Sequence, residues 1–247
     1  MAVLHCGDCL DIMPTLPDAS VDAIIADPPY GTTACKWDSV IPLAPMWAEL
    51  KRIIKPRGAI VLFAAQPFTS ALVMSNAEWF KYAWVWDKVR PSGFQIAKVR
   101  PMMRHEDVCV FGKGSVDYSP EMELRRIPVS GRVVSSSESS PLKYNDGKER
   151  IYTHKFPQSI IAYPKPNNTL HPTQKPVDLL RYLVRTYTNA GETVLDFTMG
   201  SGTTGVACAM ENRNFIGIEL ERKYYDIAER RISEAQIDLP LLSMVEA

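Results

Sequence analysis

One short junction constrains this chain more than any other. The apolar run Val21-Asp22-Ala23-Ile24-Ile25-Ala26 is cut off by Asp27-Pro28-Pro29-Tyr30. A stretch rich in Val and Ile predicts a buried strand, and two prolines, which lack an N–H, stop it abruptly. Proline also drives the residue before it towards extended geometry, so the Asp27 carboxylate is held at the carboxyl end of a strand. Open α/β sheets bind their ligands at that rim. Two carbonyls on a rigid segment follow, then an aromatic ring. Such a set suits a flat polar group that needs acceptors at its edge and a ring on its face. The same residues also fit a plain strand-to-turn transition with Asp as the turn cap, so a second motif has to decide.

That motif lies near the other end. Val194-Leu195-Asp196-Phe197 followed by Gly200-Ser201-Gly202-Thr203-Thr204-Gly205 reads as strand, glycine turn and helix. Its G-x-G-x-x-G spacing lets a ligand approach the backbone closely at a helix N-terminus. Glu219 ends the next predicted strand, Phe215–Glu219, about where an acidic residue would hold ribose hydroxyls. A βαβ turn needs glycine for structural reasons too, so the glycines alone fit an NAD site as well. No Lys follows them, which excludes a P-loop.

Between the two motifs, strands and helices alternate. Leu10–Leu16 reads as a brief helix, and Pro45–Ile54 as an amphipathic one closed by Lys55-Pro56-Arg57-Gly58. Ala59–Ala65, Tyr82–Trp86 and Glu106–Phe111 read as strands, with a helix over Pro67–Asn76. After Lys175-Pro176, Val177, Leu180, Leu183, Val184 and Tyr187 recur at helical spacing, and Glu221–Ala235 is the last strong helix. This order predicts an α/β fold, a mostly parallel sheet with helices on both faces. From Gly112 to Asn168 the pattern breaks down: prolines and the Ser-rich 135–140 stretch interrupt it, and no periodicity survives. That segment is expected to be an irregular insertion for target recognition, residues 112–168, between the two halves of one domain, 1–111 and 169–247.

Formal net charge is zero, but residues 81–175 hold 16 Lys/Arg against 9 Asp/Glu. A basic middle on an acidic frame points to a polyanionic partner. Lys98, Arg100, Arg104, Arg125, Arg126, Arg132, Lys143 and Lys148 are candidate phosphate contacts. No apolar run reaches the roughly 20 residues needed to span a bilayer and no signal-peptide pattern opens the chain, so a cytoplasmic protein with no membrane partner is expected. Five scattered cysteines suggest no disulfide framework, and Cys6-Gly7-Asp8-Cys9 has no second pair to complete a metal site.

Taken together and in this order, Asp27-Pro28-Pro29-Tyr30, His171-Pro172-Thr173-Gln174-Lys175-Pro176 and Asp196 to Thr204 resemble the amino-methyltransferases of DNA. With the tetrapeptide first and the glycine turn last, the arrangement is similar to their circularly permuted β group, over roughly residues 4–111 and 170–232. The resemblance implies a class I methyltransferase (Rossmann-like) sheet and S-adenosylmethionine as cofactor. It implies Asp27, Pro28, Pro29 and Tyr30 as the catalytic set, and no metal. Gly200, Ser201, Gly202, Thr203 and Thr204 would line the methionine and ribose portion, beside Asp196, Phe197 and Asp27, with Glu219 on the ribose. Asp8 and Cys9 match the position beside the adenine; His171, Thr173 and Lys175 fall in the segment that closes over the amino acid end. One departure stands out: Phe197 and Thr198 occupy positions where the family usually has Pro and Phe.

The activity so implied is methylation of an exocyclic amino group in duplex DNA, on a base flipped out of the helix. Asp rather than Ser before Pro-Pro-Tyr favours N6 of a flipped adenine, with cytosine N4 as the alternative. Phe94 and Trp37 are candidate helpers in flipping, while Trp84 and Trp86 read as core or pocket wall, and His105 and His154 as surface or structural. No Pro-Cys dipeptide occurs, so covalent cytosine-5 chemistry has no nucleophile here. RNA or protein N-methylation, an NAD-dependent oxidoreductase and a non-catalytic DNA-binding module are the rival readings. The resemblance also implies pairing into homodimers.

Overall fold

Strands that are apolar without interruption must be covered on both sides, and the chain supplies a helix for each face in turn. A computed structural model describes residues 1–31, 39–132, 149–167 and 169–245, apart from the side chains of Arg132 and of residues 238–245. Trp37, Cys35, Lys143, Lys148 and the Ser-rich 135–140 stretch lie outside the described residues. In chain order the strands are β1 (Ala2–Cys6), β2 (Val21–Ala26), β3 (Ile54–Ala64), β4 (Phe80–Ser92), β5 (Met103–Phe111), β6 (Glu123–Arg132), β7 (Glu149–Lys155), β8 (Ile160–Ala162), β9 (Thr193–Asp196) and β10 (Asn214–Glu219). The helices are α1 (Cys9–Ile12), α2 (Leu43–Ile53), α3 (Phe68–Ser75), α4 (Val177–Tyr187), α5 (Thr203–Met210) and α6 (Arg222–Val245).

Contacts divide the chain into two units, residues 1–119 with 159–247, and residues 120–158. In the first, eight strands lie side by side in the order β1-β10-β9-β2-β3-β5-β4-β8. Only β5 runs against its neighbours; every other pairing in this sheet is parallel. The expected fold class, a mostly parallel sheet with helices on both faces, is what the chain adopts.

Period-two alternation sorts the side chains. Ala23 and Ile25 of β2, Val61 and Phe63 of β3, Trp84 and Trp86 of β4 and Val108 and Val110 of β5 share one face. There they pack with Leu180 and Leu183 of α4, Cys208 of α5 and Ile232 of α6. Ile24, Ile60, Leu62 and Cys109 point the other way, onto Trp47 and Leu50 of α2 and Phe68 and Leu72 of α3. The order in which strands are added reverses at the middle of the sheet. From β9 the chain passes through α5 to β10 on one side, and from β2 through α2 to β3 on the other. A crevice opens between β9 and β2, the switch point at which such sheets bind ligands.

Three local expectations need correction. Lys55-Pro56-Arg57-Gly58 does not cap α2; it is a bulged start of β3, where the partners jump from Val21↔Ile54 to Ala23↔Ala59. Gly58 is needed there because a Cβ would come within 2.6 Å of the Asp22 carbonyl oxygen. Strand β4 runs well past the predicted Trp86, to Ser92, because β5 continues to pair with it beyond the apolar stretch. And 112–168 is not irregular throughout. Its middle, the second unit, holds an antiparallel pair, β6 and β7, with an exposed surface that leaves no apolar period to read. Its end, β8, joins the main sheet alongside β4.

Candidate active site

The Asp27–Tyr30 tetrapeptide and the glycine turn meet. Asp27, Pro28, Pro29 and Tyr30 follow β2; Asp196 ends the adjacent β9, and Phe197 to Ser201 form the turn into α5. A cavity of about 320 Å³ opens between them, within the range of small-molecule sites. Asp8, Cys9, Asp27, Pro28, Pro29, Tyr30, His171, Thr173, Lys175, Asp196, Phe197, Gly200, Ser201, Thr203, Thr204 and Glu219 all line it. Of the predicted site residues, Gly202 is absent from that lining. Its φ of +77° starts α5, and a Cβ there would sit 2.8 Å from that of Ala228 on α6, so its glycine serves helix packing.

The glycine-turn side is built from carboxylates that hold backbone. Glu219 accepts from the Gly200 N–H at 2.8 Å and the Glu221 N–H at 2.9 Å, which fixes the turn where φ of Gly200 is +52°. Asp196, almost fully buried, accepts from Thr204 Oγ1 at 2.6 Å and from the Thr198 N–H at 3.1 Å. Burial pushes its carboxyl up to about 7, and these two hydrogen bonds pull the other way. Asp8 caps α1 by accepting from the Leu10 N–H at 2.8 Å. Cys9 next to it is buried, and burial followed by the Asp8 charge pushes its thiol up to about 12. Among the described residues no cluster of three or more His, Cys, Asp or Glu could hold a metal ion.

His171 stands edge-on to Tyr224 of α6, ring centres 4.2 Å apart, and its Nδ1 meets Thr173 Oγ1 at 3.0 Å. Burial, then the Lys175 charge, lowers the imidazole to about 4, so it is neutral at pH 7. Thr198, the departure noted above, has a buried Oγ1 with no hydrogen-bond partner among the described residues, and the residue lines the cavity. Such an orphan hydroxyl in a pocket wall is where a polar ligand completes the bonding.

On the opposite side, Tyr30 donates its hydroxyl proton to Asp27 Oδ1 at 2.5 Å, and one face of its ring stacks on Phe68 at 5.3 Å and 22°. Lys175, which also lines the cavity, pairs with carboxylates here: its Nζ lies 2.8 Å from Asp27 Oδ2 and 2.9 Å from Glu106 Oε2. Burial raises the Asp27 carboxyl, and the Lys175 charge opposes that rise. Lys88 Nζ stands 3.3 Å from the other Glu106 oxygen.

Glu106, Lys88, Phe63 and Tyr224 were not among the predicted site residues. The signal for the first two was alternation. Lys88 follows Trp84 and Trp86 on one face of β4, and Glu106 precedes Val108 and Val110 on one face of β5, so charges occupy places in an apolar series. Trp84 and Trp86 are core residues, as read; their indole N–H groups donate to Tyr187 Oη and the Tyr163 carbonyl. Phe94 is highly exposed in the β4–β5 connection, with Lys98 and Arg100 nearby in sequence and exposed. Arg104 is held by both oxygens of Asp87, at 2.8 Å each, with its side chain exposed. His105 and His154 are exposed.

Comparison with known proteins points one way. The model of the family described as DNA methylase, covering N6 and N4 enzymes, matches residues 21–230. Among characterised relatives, the type II methyltransferase M.HinfI of Haemophilus influenzae is 28% identical over 271 residues, spanning 96% of this chain and 71% of its own. The DNA adenine methyltransferase YhdJ of Escherichia coli strain K12 is 28% identical over 252 residues, 94% of this chain and 83% of its own. Among solved structures, the M1.HpyAVI–SAM complex superposes with a TM-score of 0.62 at 28% identity, covering 94% of this chain and all of that one.

Proposed function

The chain belongs to the DNA methylase family of N6 and N4 methyltransferases, and from that premise we propose that it methylates N6 of adenine in duplex DNA, with S-adenosylmethionine as donor. One observation carries the reading: Asp27-Pro28-Pro29-Tyr30 and the turn from Asp196 to Thr204 line a single cavity. The pocket fits the donor on its own chemistry. Glu219 offers a carboxylate to ribose hydroxyls, positive-φ Gly200 allows close approach, and the Thr198 hydroxyl lacks a partner among the described residues. When bound, S-adenosylmethionine supplies an electrophilic methyl group on a sulfonium.

The protein's own residues then have to make a poor nucleophile attack. An exocyclic amino nitrogen shares its lone pair with the ring. Asp27 and the Pro28 carbonyl accept its two N–H groups, which favours pyramidal nitrogen and frees the lone pair. This is positioning with fixed acceptors, worth several kcal/mol when aligned. Tyr30 offers its ring to the face of the base, a contact of roughly 1–3 kcal/mol. The base must leave the duplex to reach them. The preference for adenine N6 is supported by Asp before Pro-Pro-Tyr and by one relative, YhdJ, named as an adenine enzyme.

Incubation with tritiated S-adenosylmethionine and unmethylated genomic duplex should label the DNA, and Asp27→Ala should reduce transfer at least a thousandfold. Digestion to nucleosides is expected to return N6-methyl-2′-deoxyadenosine. N4-methylcytosine in its place would redirect the base assignment, and no labelled DNA at all would defeat the reading.

A further inference from the structure

The reading above uses Asp27 but gives no reason for what is packed behind it. Asp27, Lys175, Glu106 and Lys88 form a row of alternating charge, linked at 2.8, 2.9 and 3.3 Å. Their side chains are only 19, 9, 12 and 4% exposed. The row continues an apolar series: Asp27 follows Ala23 and Ile25, Lys88 follows Trp84 and Trp86, and Glu106 precedes Val108 and Val110. Lys175 comes from the opposite layer, just ahead of α4, with its Nζ 4.9 Å from the centre of the Phe63 ring and 5.6 Å from that of Trp86.

As a stability device such a row is poor. Each buried ion carries a desolvation penalty of several kcal/mol, and apolar side chains of similar volume do as well or better. Only its Asp27 and Lys175 end lines the cavity; Glu106 and Lys88 lie behind.

We propose that Glu106 is a positioning residue that acts on Asp27 through Lys175, keeping the carboxylate ionised yet only partly neutralised. Two requirements meet at Asp27. It must accept an amino N–H strongly, which a carboxylate does better than a neutral carboxyl, so it must stay charged in a dry site. It must also retain acceptor strength, so its counter-ion must not bind it exclusively. Sharing one ammonium between two carboxylates meets both, and Lys88 balances the second carboxylate. Other groups bear on Asp27 as well. Tyr30 donates to Oδ1, Asp196 lies close enough for its charge to be felt, and so does Lys165, in the segment after β8. The inference rests on the methyl-transfer reading.

The test uses the full-length protein, tritiated S-adenosylmethionine and unmethylated genomic duplex, with kcat and KM measured from pH 5 to 9. Glu106→Gln keeps the shape and removes the charge, so Lys175 commits to Asp27. The expected result is a fall in kcat of about tenfold with KM for the donor unchanged. Lys175→Met leaves Asp27 beside Glu106 without a counter-ion, so the acid limb of kcat/KM moves up by about one to three units. Adding Glu106→Gln to Lys175→Met removes the repulsion, and the acid limb moves back down. A merely structural pair would not produce that reversal, and since Glu106→Gln also takes the carboxylate from Lys88, urea midpoints of all variants are measured alongside to show that each is folded under assay conditions. Wild-type kcat in Glu106→Gln, or identical acid limbs in Lys175→Met and the double variant, would overturn the inference while leaving methyl transfer intact. Absence of transfer by the wild type would sink both.

Discussion

Within the cavity, two residues carry opposite pH signatures. The Asp196 carboxyl is raised from 3.8 to about 7 by burial, so between those values the folded chain holds a proton that the unfolded chain releases. By linkage its contribution to stability is present below about pH 4 and is lost as pH rises through 7. His171 runs the other way. Its imidazole is lowered from 6.5 to about 4, so stability is lost as pH falls from 6.5 towards 4, where the unfolded chain takes up the proton first. Thermal melts of wild type and Asp196→Asn from pH 4 to 8 test the first sign. The variant should gain on the wild type as pH rises from 4 to 7, by up to a few kcal/mol, and the gap should then stay constant. At this scale the sequence shows which groups are titratable, but not how deeply they are buried.

Among the elements, close approach of helices to strands sets the limits. Helix α5 lies so near α6 and β10 that a Cβ on Gly205 would stand 2.4 Å from the Ile232 Cδ1 and 2.7 Å from a Phe215 ring carbon. Gly205→Ala is therefore expected to destabilise by about 1–3 kcal/mol through overpacking, read from urea midpoints. Since α5 begins at the glycine turn, weaker binding of S-adenosylhomocysteine should accompany the loss. Helix α2 shows the opposite fault. Leu50 is fully buried in the core cluster that α2 shares with residues of β2 and β3, and Leu50→Ala should cost about 2–5 kcal/mol by leaving a cavity. The α2 stripe, Met46, Leu50 and Ile53, was legible because a 3.6-residue period has a single interpretation. The extra length of β4 was not. Lys81, Asp87 and Arg90 interrupt its apolar pattern, and what keeps those residues in strand is β5, whose hydrogen bonds carry no sequence signature in β4 itself.

At the level of the whole molecule, residues 120–158 begin and end at anchored points of the main unit. The Ser119 N–H donates to the Thr186 carbonyl at 2.8 Å, and the Ser159 carbonyl accepts from the Val85 N–H at 2.7 Å. Among the described residues, the eight-stranded sheet draws no strand from between them. Replacing 120–158 by a short Gly/Ser linker should therefore leave the main unit folded and able to bind S-adenosylhomocysteine, measured by calorimetry. Transfer to DNA should fall by more than a hundredfold if this unit reads the target, as we propose. Retention of full transfer by the deletion variant would remove that role.

The sequence by itself determined the two motifs, their order along the chain, the α/β class and most strand positions, because these depend on short-range rules: period, proline, glycine and strand-end carboxylates. It could place Asp27 and Asp196 each at a strand end. Only the tertiary structure decided that those two strands are neighbours, so that the motifs, separated by some 170 residues, share one cavity. It alone turned Lys175 towards Asp27 and set Glu106 and Lys88 behind it. The physical reason is that a charged residue reads as surface until its strand's neighbours are known. Pairing in a sheet, and the helix laid over it, convert the same side chain into part of a buried site.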